Sequence, residues 1–494
     1  MRAICLHGFP MQQEQYRDIR LTDIPFFTMI KKGVCKPYII MYGGKGTMSK
    51  EKVVVGEEGI FDAKKLGTSK VLILGLQHMF AMFGATVVVP ALTGLDVSTT
   101  LLFAGLGTLL FHFLAKGKVP AFLGSSFAFL AGYWAIAPNG EADLLPYACF
   151  GVACAGLLYL VLAAFIKAFG TSKVMKFFPP IVTGPIIIAI GLNLSQSAIN
   201  NCAANWWIAV IAIVVVIICN IWGKGMIKIV PIIMGVIVSY VIAAVTGNVD
   251  FTPVKEAQWI GLPIHYENTV FSIFSNLDVS LLITSVITIM PIALATMVEH
   301  IGDISAISST VGKNYIKDPG LHRTLVGDGL ATAVASLFGA PANTTYGENT
   351  GVLSLTKVYD PLVIRIAAGF AILFAFSPKV GAVISCMPTA TLGGVSLVLY
   401  GMISAVGVRN VVENKVDFSK SRNVIIAALI LVLSIGINYS SAGAIAFTIG
   451  SVTISLSGLA VGALTGIILN AVLPGKDYVF DEEKPSDTGV NFEV

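Results

Sequence analysis

The decisive stretch of this sequence is Pro341-Ala-Asn-Thr-Thr-Tyr-Gly-Glu-Asn-Thr-Gly351, an irregular polar segment that stands among long apolar ones. Its proline and glycines interrupt regular structure, and a carboxyl group is costly to place in lipid. In a bilayer, irregular backbone is tolerated only where protein buries it or where it lines a cavity. We therefore predict a substrate site on a broken membrane helix, with Glu348 as its ionisable group.

The composition places the surrounding chain in a membrane. Of its 494 residues, 55% are hydrophobic and only 12% are charged, and the mean hydropathy is +0.82. Soluble domains carry about 25% charged residues. The net charge of +4 is too small to indicate a nucleic-acid partner, and the seven cysteines show no metal-binding spacing. We expect neither a metal nor an organic cofactor.

Apolar runs separated by short polar loops fill the chain from about residue 69 to residue 474. A helix needs roughly 20 residues to cross a hydrocarbon core of ~30 Å. On that basis we predict an all-α polytopic membrane protein. Its fourteen spans are expected at residues 69–91, 98–115, 121–137, 145–168, 178–195, 205–222, 227–246, 279–301, 322–340, 343–357, 362–378, 380–403, 423–438 and 443–472.

The loop charges support that number of spans. With the N-terminus in the cytoplasm, the even-numbered connections hold fifteen Lys and Arg residues, whereas the opposite side holds only Lys255 and Lys379. Cytoplasmic loops carry the excess of Lys and Arg, and one span more or fewer would scramble this bias. We expect a multi-pass protein of the cytoplasmic (inner) membrane, surrounded by lipid, with both termini in the cytoplasm.

The first 47 residues fit poorly with the rest. They lack the apolar region of a signal peptide, and Met48 opens Ser-Lys-Glu-Lys just ahead of the first span. We interpret residues 1–47 as an upstream extension or a wrong start, within a cytoplasmic N-terminal region over residues 1–66.

Fourteen spans favour an inverted repeat of seven plus seven. Span three opens Pro120-Ala-Phe-Leu-Gly-Ser-Ser-Phe127, and span ten opens Pro341-Ala-Asn-Thr-Thr-Tyr346. In each, Pro-Ala leads to two small hydroxyl residues and then to an aromatic one. Paired breaks at corresponding positions of two halves indicate the binding site of a transporter.

Span eight ends with two acids, Glu299 and Asp303, which are four residues apart and share a helix face. Two carboxylates so spaced repel unless one is protonated, and the membrane interior disfavours charge. These are the properties of a proton-carrying site. The alternatives are a solvated Asp303 at the helix end and a structural ion pair for Glu299; His300 is better explained as packed or interfacial.

Glu348 follows Gly347 at the predicted start of a half-helix. A helix start offers free backbone N–H groups, and glycine lets a ligand approach the backbone. A carboxylate beside free amides suits a flat, amide-rich heterocycle. Phe127 or Tyr346 could stack on the ring and Tyr400 could close the pocket, although ordinary core packing competes as the explanation for these aromatics.

Three more polar residues fall inside predicted spans: Gln77, His78 and Asp328. Each needs a partner at membrane depth. Asp328 either belongs to a proton relay or has a structural role, as a cap or paired with His78 or a backbone amide. We favour the structural role.

These motifs resemble the nucleobase–ascorbate transporter family, and within it the bacterial uracil permease branch. The family signature is an acid or amide followed by Asn-x-Gly-x4-Thr-Lys/Arg, and it is met by Glu348-Asn-Thr-Gly351 through Thr356-Lys357. Other blocks similar to the family follow in order over about residues 67–480: Gln77-His-Met-Phe-Ala-Met-Phe-Gly-Ala-Thr86, Gly124-Ser-Ser-Phe-Ala-Phe129, Glu299-His-Ile-Gly302, Asp318-Pro-Gly-Leu-His-Arg323 and Gly393-Gly-Val-Ser-Leu397.

The resemblance implies two domains that move against each other. The core domain would comprise residues 67–170 (spans one to four) and 251–378 (spans eight to eleven), with a short strand in each of spans three and ten. The gate domain would comprise residues 171–250 (spans five to seven) and 379–474 (spans twelve to fourteen), followed by a cytoplasmic tail over residues 475–494. A homodimer is also expected.

The resemblance further implies that Glu299 and Glu348 hydrogen-bond uracil, assisted by the backbone at Phe127 and Gly347. The residues expected to line the pocket are Ala85, Tyr346 and Tyr400. Those assigned to proton coupling are Glu299, Asp303, Glu348 and Asp328. Asp303 is a departure, because several uracil permeases have His there and purine-transporting relatives have Asp.

Together these features predict a proton-coupled uracil importer rather than an enzyme. The nearest alternative is a xanthine or other oxopurine symporter on the same fold. An inorganic-anion carrier would want a cationic site, and two glutamates argue against it. A membrane enzyme would need a nucleophile triad, metal cluster or cofactor loop, which the sequence does not show.

Overall fold

The protein is described from a computed structural model. The structure describes residues 55, 58–441, 443–449, 452–476, 478 and 480; among these, side chains are not described for residues 226, 229, 348, 448, 449 and 452–455. The predicted extension over residues 1–47 and most of the predicted tail therefore lie outside the described residues.

The first half of the described chain is helical except for one short strand. Its elements are α1 (Thr68–Thr93), α2 (Val97–Leu114), β1 (Leu123–Ser125), α3 (Leu130–Ile136), α4 (Leu145–Phe169), α5 (Thr171–Met175), α6 (Pro180–Ala203), α7 (Trp206–Ile221), α8 (Met226–Ile229), α9 (Pro231–Val245) and α10 (Thr252–Glu256). Single 3₁₀ turns precede α1 at Ala63–Leu66 and α3 at Phe127–Phe129.

The second half contains the remaining strands. Its elements are α11 (Val279–Ile289), α12 (Ala293–Val311), α13 (Leu321–Leu337), β2 (Asn343–Thr345), α14 (Gly347–Thr356), α15 (Pro361–Ala375), α16 (Pro378–Ser385), α17 (Thr389–Glu413), α18 (Ser421–Asn438), β3 (Ala444–Ile449), β4 (Val452–Ser457) and α19 (Gly458–Val472). Short 3₁₀ segments lie at Tyr266–Asn268, Val270–Ser275 and Met290–Ile292, and a π-helical turn at Ile316–Gly320 precedes α13.

Within the described residues, seven helices are long and apolar enough to cross a membrane, and eight if α15 and α16 form one bent span. Four apolar helical segments are shorter, at Phe127–Ile136, α7, α9 and α19. The mostly helical, multi-span architecture is therefore confirmed, whereas the number fourteen and the inverted repeat stay predictions.

Three predicted spans are placed differently in the structure. The span expected at residues 178–195 continues as α6 to Ala203. The span expected at residues 380–403 is broken: α16 ends at Ser385, α17 begins at Thr389, and α16 bends by 85° from α15. Pro388 explains the break, because proline has no N–H and keeps the preceding residue out of helical geometry. The span expected at residues 279–301 continues as α12 to Val311, where Gly312 adopts a left-handed conformation.

The helix predicted over residues 443–472 is wrong in its first half, which forms the antiparallel hairpin β3–β4. Both strands are rich in β-branched residues, and a Gly450-Ser451 pair lies between them in the sequence. These are the ordinary signals of a hairpin. Apolar content alone led to the helical prediction, because buried strands and buried helices share it.

Small residues let the helices approach closely. A Cβ atom at Gly156 on α4 would lie 2.6 Å from the carbonyl oxygen of Gly329 on α13. A Cβ at Gly191 on α6 would lie 2.2 Å from the carbonyl oxygen of Tyr400 on α17. Close backbone approach through glycine is how helices associate in lipid, where no hydrophobic force joins them. The glycines at these positions therefore allow the close packing of α4 against α13 and of α6 against α17.

The segment before α1 is held by the chain that follows α14. Ile60 donates its backbone N–H to the carbonyl oxygen of Lys357 at 2.7 Å and accepts from the N–H of Tyr359 at 2.8 Å. The Asp360 carboxylate accepts from the N–H of Ala63 at 2.8 Å and also caps α15. This part of the predicted N-terminal region is thus integrated into the fold.

Candidate functional site

A two-stranded antiparallel sheet lies between the two interrupted segments. β1 pairs with β2 in the register Leu123 with Thr345, Gly124 with Thr344 and Ser125 with Asn343. The pairing continues beyond the strands, because the Tyr346 N–H donates to the Phe122 carbonyl and the Ser126 N–H to the Ala342 carbonyl, both at 2.9 Å. Each broken segment therefore satisfies the backbone groups of the other, which is what interrupted backbone requires in a membrane.

Neighbouring helices fix this sheet through buried side-chain hydrogen bonds. Ser125 Oγ donates to the Thr86 carbonyl on α1 at 2.9 Å. Asn343 Nδ2 donates to the Phe103 carbonyl on α2 at 2.6 Å, and Thr332 Oγ1 on α13 donates to the Asn343 carbonyl at 2.9 Å. The sheet is thus attached to three helices on different sides.

Tyr346 joins the two segments a second time. Its hydroxyl donates to the Ser125 carbonyl at 2.7 Å, and its ring packs on Gly124, where an added Cβ would lie 2.7 Å from Cζ of Tyr346. Tyr346 is only 4% exposed. The aromatic residue predicted to line the pocket therefore packs between the strands and braces them.

The half-helix α14 begins at Gly347, one residue after β2, and the side chain of its N-cap residue, Tyr346, makes no capping hydrogen bond. Its first turn leaves backbone N–H groups without helical partners. Asn349 in this turn donates Nδ2 to the His78 carbonyl on α1 at 3.1 Å and lies 3.2 Å from His78 Nδ1. Glu348 belongs to the same turn by its backbone, and its side chain lies outside the described part of the structure.

Asp303, one of the two acids of α12, lies beside the end of β2 and the start of α14. Thr345 Oγ1 donates to Asp303 Oδ2 at 3.2 Å, and a Cβ on Gly347 would lie 3.6 Å from Asp303 Oδ1. Asp303 is half-buried in the interior of α12, so the helix-end alternative does not describe its position. Glu299 is also half-buried and lies one turn earlier on the same helix face.

A fully buried pair lies behind Thr345. His300 Nδ1 is 3.0 Å from Asp328 Oδ2, and both side chains are 0% exposed. The same nitrogen lies 3.2 Å from Thr345 Oγ1. The partner of Asp328 is therefore His300, whereas His78, the partner considered from the sequence, contacts Asn349. His300, which the sequence explained as packed or interfacial, is fully buried and pairs with Asp328.

Two aromatic rings from distant segments touch beside β1. Phe127, in the 3₁₀ turn after β1, and Tyr400, on α17, have ring centroids 5.7 Å apart at an interplanar angle of 76°. Both are buried, as is Ala85 on α1, which is 0% exposed. The contact joins a residue of the predicted core domain to one of the predicted gate domain.

A narrow cavity adjoins the acids of α12. Val298, Gly302 and Ser305 of α12 line one wall, Thr183 of α6 and Asn410 of α17 line another, and two residues beyond α19, Tyr478 and Phe480, also line it. Phe480 is only 7% exposed. The cytoplasmic tail predicted over residues 475–494 stays a prediction, and the structure adds that the Phe480 side chain packs into the helical core.

The chain matches a known family along most of its length. The sequence profile of a permease family matches residues 69–443. The chain is 40% identical to a uracil permease of Bacillus caldolyticus over 84% of this chain and 95% of that protein. It is 37% identical to the uracil permease of Escherichia coli K12 over 83% of this chain and 94% of the relative, and 37% identical to a putative pyrimidine permease, RutG, of the same strain over 87% and 94%.

Solved transporter structures share the fold at low identity. The transmembrane domain of the cyanobacterial bicarbonate transporter BicA aligns with a TM-score of 0.53 at 15% identity, covering 76% of this chain and 97% of that one. The murine anion transporter Slc26a9 in its inward-facing state aligns with a TM-score of 0.57 at 12% identity, covering 92% and 76%. These likenesses concern the fold alone.

The profile match and the identities together show a multi-pass protein of the bacterial cell membrane that transports rather than catalyses. The chain belongs to the permease family of nucleobase–ascorbate transporters, in its uracil permease branch.

Proposed function

We propose that the chain imports uracil across the cytoplasmic membrane as a proton-coupled symporter that works by alternating access. The observation that carries this proposal is the 37–40% identity to uracil permeases over more than four-fifths of the chain. A likeness of that length includes the interrupted segments and α12.

The geometry of the interrupted segments supports a nucleobase as the substrate. Uracil is a flat ring whose rim alternates C=O and N–H groups. The start of the half-helix α14 offers backbone N–H donors at Gly347 and Glu348, while the carboxyl groups of Glu299 and Glu348 supply acceptors. Phe127 and Tyr400 supply aromatic faces for the ring. We assign substrate binding to these residues, with Ala85 and Tyr346 lining the pocket.

The proposed transport cycle uses fourteen spans in an inverted repeat, divided into core and gate domains. The paired units β1–α3 and β2–α14, each a strand followed by a short helix, support the repeat. The Phe127–Tyr400 contact supports a substrate site at the boundary of the two domains. In this cycle the core domain rocks past the gate domain, both termini face the cytoplasm, and the protein forms a homodimer.

Proton coupling is assigned to the acids of α12. A protonated Glu299 completes the uracil site, and proton release in the cytoplasm frees the substrate; Asp303, Glu348 and Asp328 complete the proposed relay. The physical requirement is differential affinity, because a proton gradient drives accumulation only if uracil binds the protonated form better.

The test is uptake of labelled uracil into proteoliposomes under an imposed pH gradient. Glu299→Gln should retain measurable uracil binding and lose pH-dependent accumulation. The matched control is Glu256→Gln, which makes the same change on the exposed glutamate that ends the short helix α10 and should behave as the unsubstituted protein. Unchanged uphill uptake by Glu299→Gln would refute the coupling role.

The same vesicles test the oxopurine alternative, which the uracil and pyrimidine relatives do not favour. An excess of unlabelled uracil should abolish uptake of labelled uracil, whereas the same concentration of xanthine should leave that uptake nearly unchanged. Stronger competition by xanthine than by uracil would replace the proposed substrate.

A further inference from the structure

A second cavity lies away from the substrate site, where the C-terminal ends of α2 and α4 meet the start of α13. Its volume is about 380 Å³, and its apolar walls come from Leu114 of α2, Leu160 and Ala164 of α4 and Val326 of α13. A volume of this size is enough for part of an acyl chain. Nothing in the proposed transport cycle uses it.

The groove opens onto a surface that faces lipid. On α4, the neighbouring side chains of Leu157, Val161, Phe165 and Phe169 are 48–58% exposed, and Phe113 at the end of α2 is 80% exposed. In a membrane permease, so continuous a set of exposed apolar side chains contacts acyl chains. The occupant of the groove therefore comes from the bilayer.

Three basic residues form the rim of this groove: Lys167 in the last turn of α4, and His322 and Arg323 in the first turn of α13. Among the residues that the structure describes, no Asp or Glu lines the groove. In the described part of the chain, neither Lys167 nor Arg323 forms a salt bridge, whereas nearby Lys118 is paired with Asp318. Cations at a helix start oppose the helix dipole, so the dipole of α13 does not explain an arginine at this position.

We propose that this groove is a binding site for an anionic phospholipid, with the headgroup phosphate between Lys167 and Arg323 and one acyl chain along Leu160 and Ala164. Basic pockets between transmembrane helices on the cytoplasmic side recognise anionic headgroups, and the loop charges predict that this end of α4 is cytoplasmic. Zwitterionic lipids offer no net charge to the rim. The bound lipid would touch α2, α4 and α13 together.

The test is native mass spectrometry of the full chain in detergent, titrated with phosphatidylglycerol or phosphatidylcholine. The unsubstituted protein should retain one phosphatidylglycerol in preference to phosphatidylcholine. The double variant Lys167→Gln, Arg323→Gln should bind it about thirty-fold more weakly, which corresponds to about 1 kcal/mol for each cation near the surface. The control is Lys224→Gln, Lys228→Gln, which removes two cations of the α7–α9 connection and should leave retention unchanged.

A second variant tests the apolar part without touching charge. Ala164→Trp fills the groove and should displace phosphatidylglycerol while the protein stays monodisperse in size-exclusion chromatography. The proposal would be overturned if the Lys224→Gln, Lys228→Gln control lost phosphatidylglycerol as strongly as the Lys167→Gln, Arg323→Gln variant. It would also be overturned if the unsubstituted protein retained phosphatidylglycerol and phosphatidylcholine equally. Full competition by inorganic phosphate would also overturn it, since a free anion would then suffice without an acyl chain.

Discussion

The Tyr346 hydroxyl donates a hydrogen bond to the carbonyl oxygen of Ser125 at 2.7 Å, across 221 positions of sequence. Tyr346 immediately precedes the half-helix α14, and Ser125 ends β1. This side chain therefore adds a second link between two interrupted segments that the β1–β2 pairing already joins. The substrate site that we propose depends on this brace.

Tyr346→Phe should loosen that brace. The substitution leaves the buried Ser125 carbonyl without its donor, which costs about 1–3 kcal/mol. We expect a lower melting temperature in detergent and slower uracil uptake. Tyr266→Phe is the control, because its hydroxyl donates to the Phe271 carbonyl at 3.0 Å in an exposed loop, where water can replace it. Equal melting temperatures for Tyr346→Phe and the unsubstituted protein would mean that the brace is dispensable.

Gly124→Ala should be more damaging than its one added methyl group suggests. The new Cβ would lie 2.6 Å from Thr86 Oγ1 and 2.7 Å from Tyr346 Cζ, so β1 must move away from α1 or from the Tyr346 ring. Overpacking of this kind costs about 1–3 kcal/mol, and transport should fall further because the strands hold the proposed substrate site. Gly369→Ala on α15 is the control, since its Cβ meets nothing within 4 Å. Melting curves and uptake of both variants, measured side by side, check this.

Substitutions of His300 and Asp328 distinguish a structural role of this buried pair from a role in a proton relay. Breaking a buried pair by removing one partner costs about 3–5 kcal/mol, so Asp328→Asn and His300→Gln should each destabilise the protein strongly. The double variant should lose less than the sum, because the partners are 3.0 Å apart. Thermal unfolding of the three variants measures the coupling. Full stability in Asp328→Asn with loss of pH-driven uptake would instead favour a proton relay.

Asp318 gives a pH-dependent prediction outside the membrane. A hydrogen bond from Lys118, with Nζ 2.6 Å from Oδ1, lowers the pKa of Asp318 below its ordinary value of 3.8. A lowered carboxyl pKa contributes stability that is fully present above the ordinary pKa and is lost as the pH falls through the lower, folded-state pKa. Lys118→Gln should therefore lower the melting temperature slightly at pH 7, and this difference should shrink as the pH falls below 3.8.

Both groups of the Lys118–Asp318 pair are exposed, so the effect at pH 7 is small and salt-sensitive. Lys224→Gln serves as the control for removing a surface cation. A difference between Lys118→Gln and the unsubstituted protein that grows towards acid pH would contradict the assignment.

The sequence by itself determined the membrane class and most helix positions. Spans predicted at residues 69–91, 98–115, 145–168 and 423–438 agree with α1, α2, α4 and α18 to within two residues at each end. Such segments follow from local information: a long apolar run, with Asp96 or Gly170 at its boundary. The signature around Glu348 likewise identified the family without any coordinates.

Tertiary structure decided what local pattern leaves open. The apolar composition of residues 443–457 is compatible with either a helix or the β3–β4 hairpin. In the structure this segment forms the hairpin, and β4 packs against α11. The sequence explains His300 only as packed or interfacial, because nothing within α12 reveals Asp328 on α13. Nor does any periodicity bring Tyr346 to Ser125. These choices are contacts between residues far apart in the chain, and their energy exists only once the helices have brought the partners within hydrogen-bond distance.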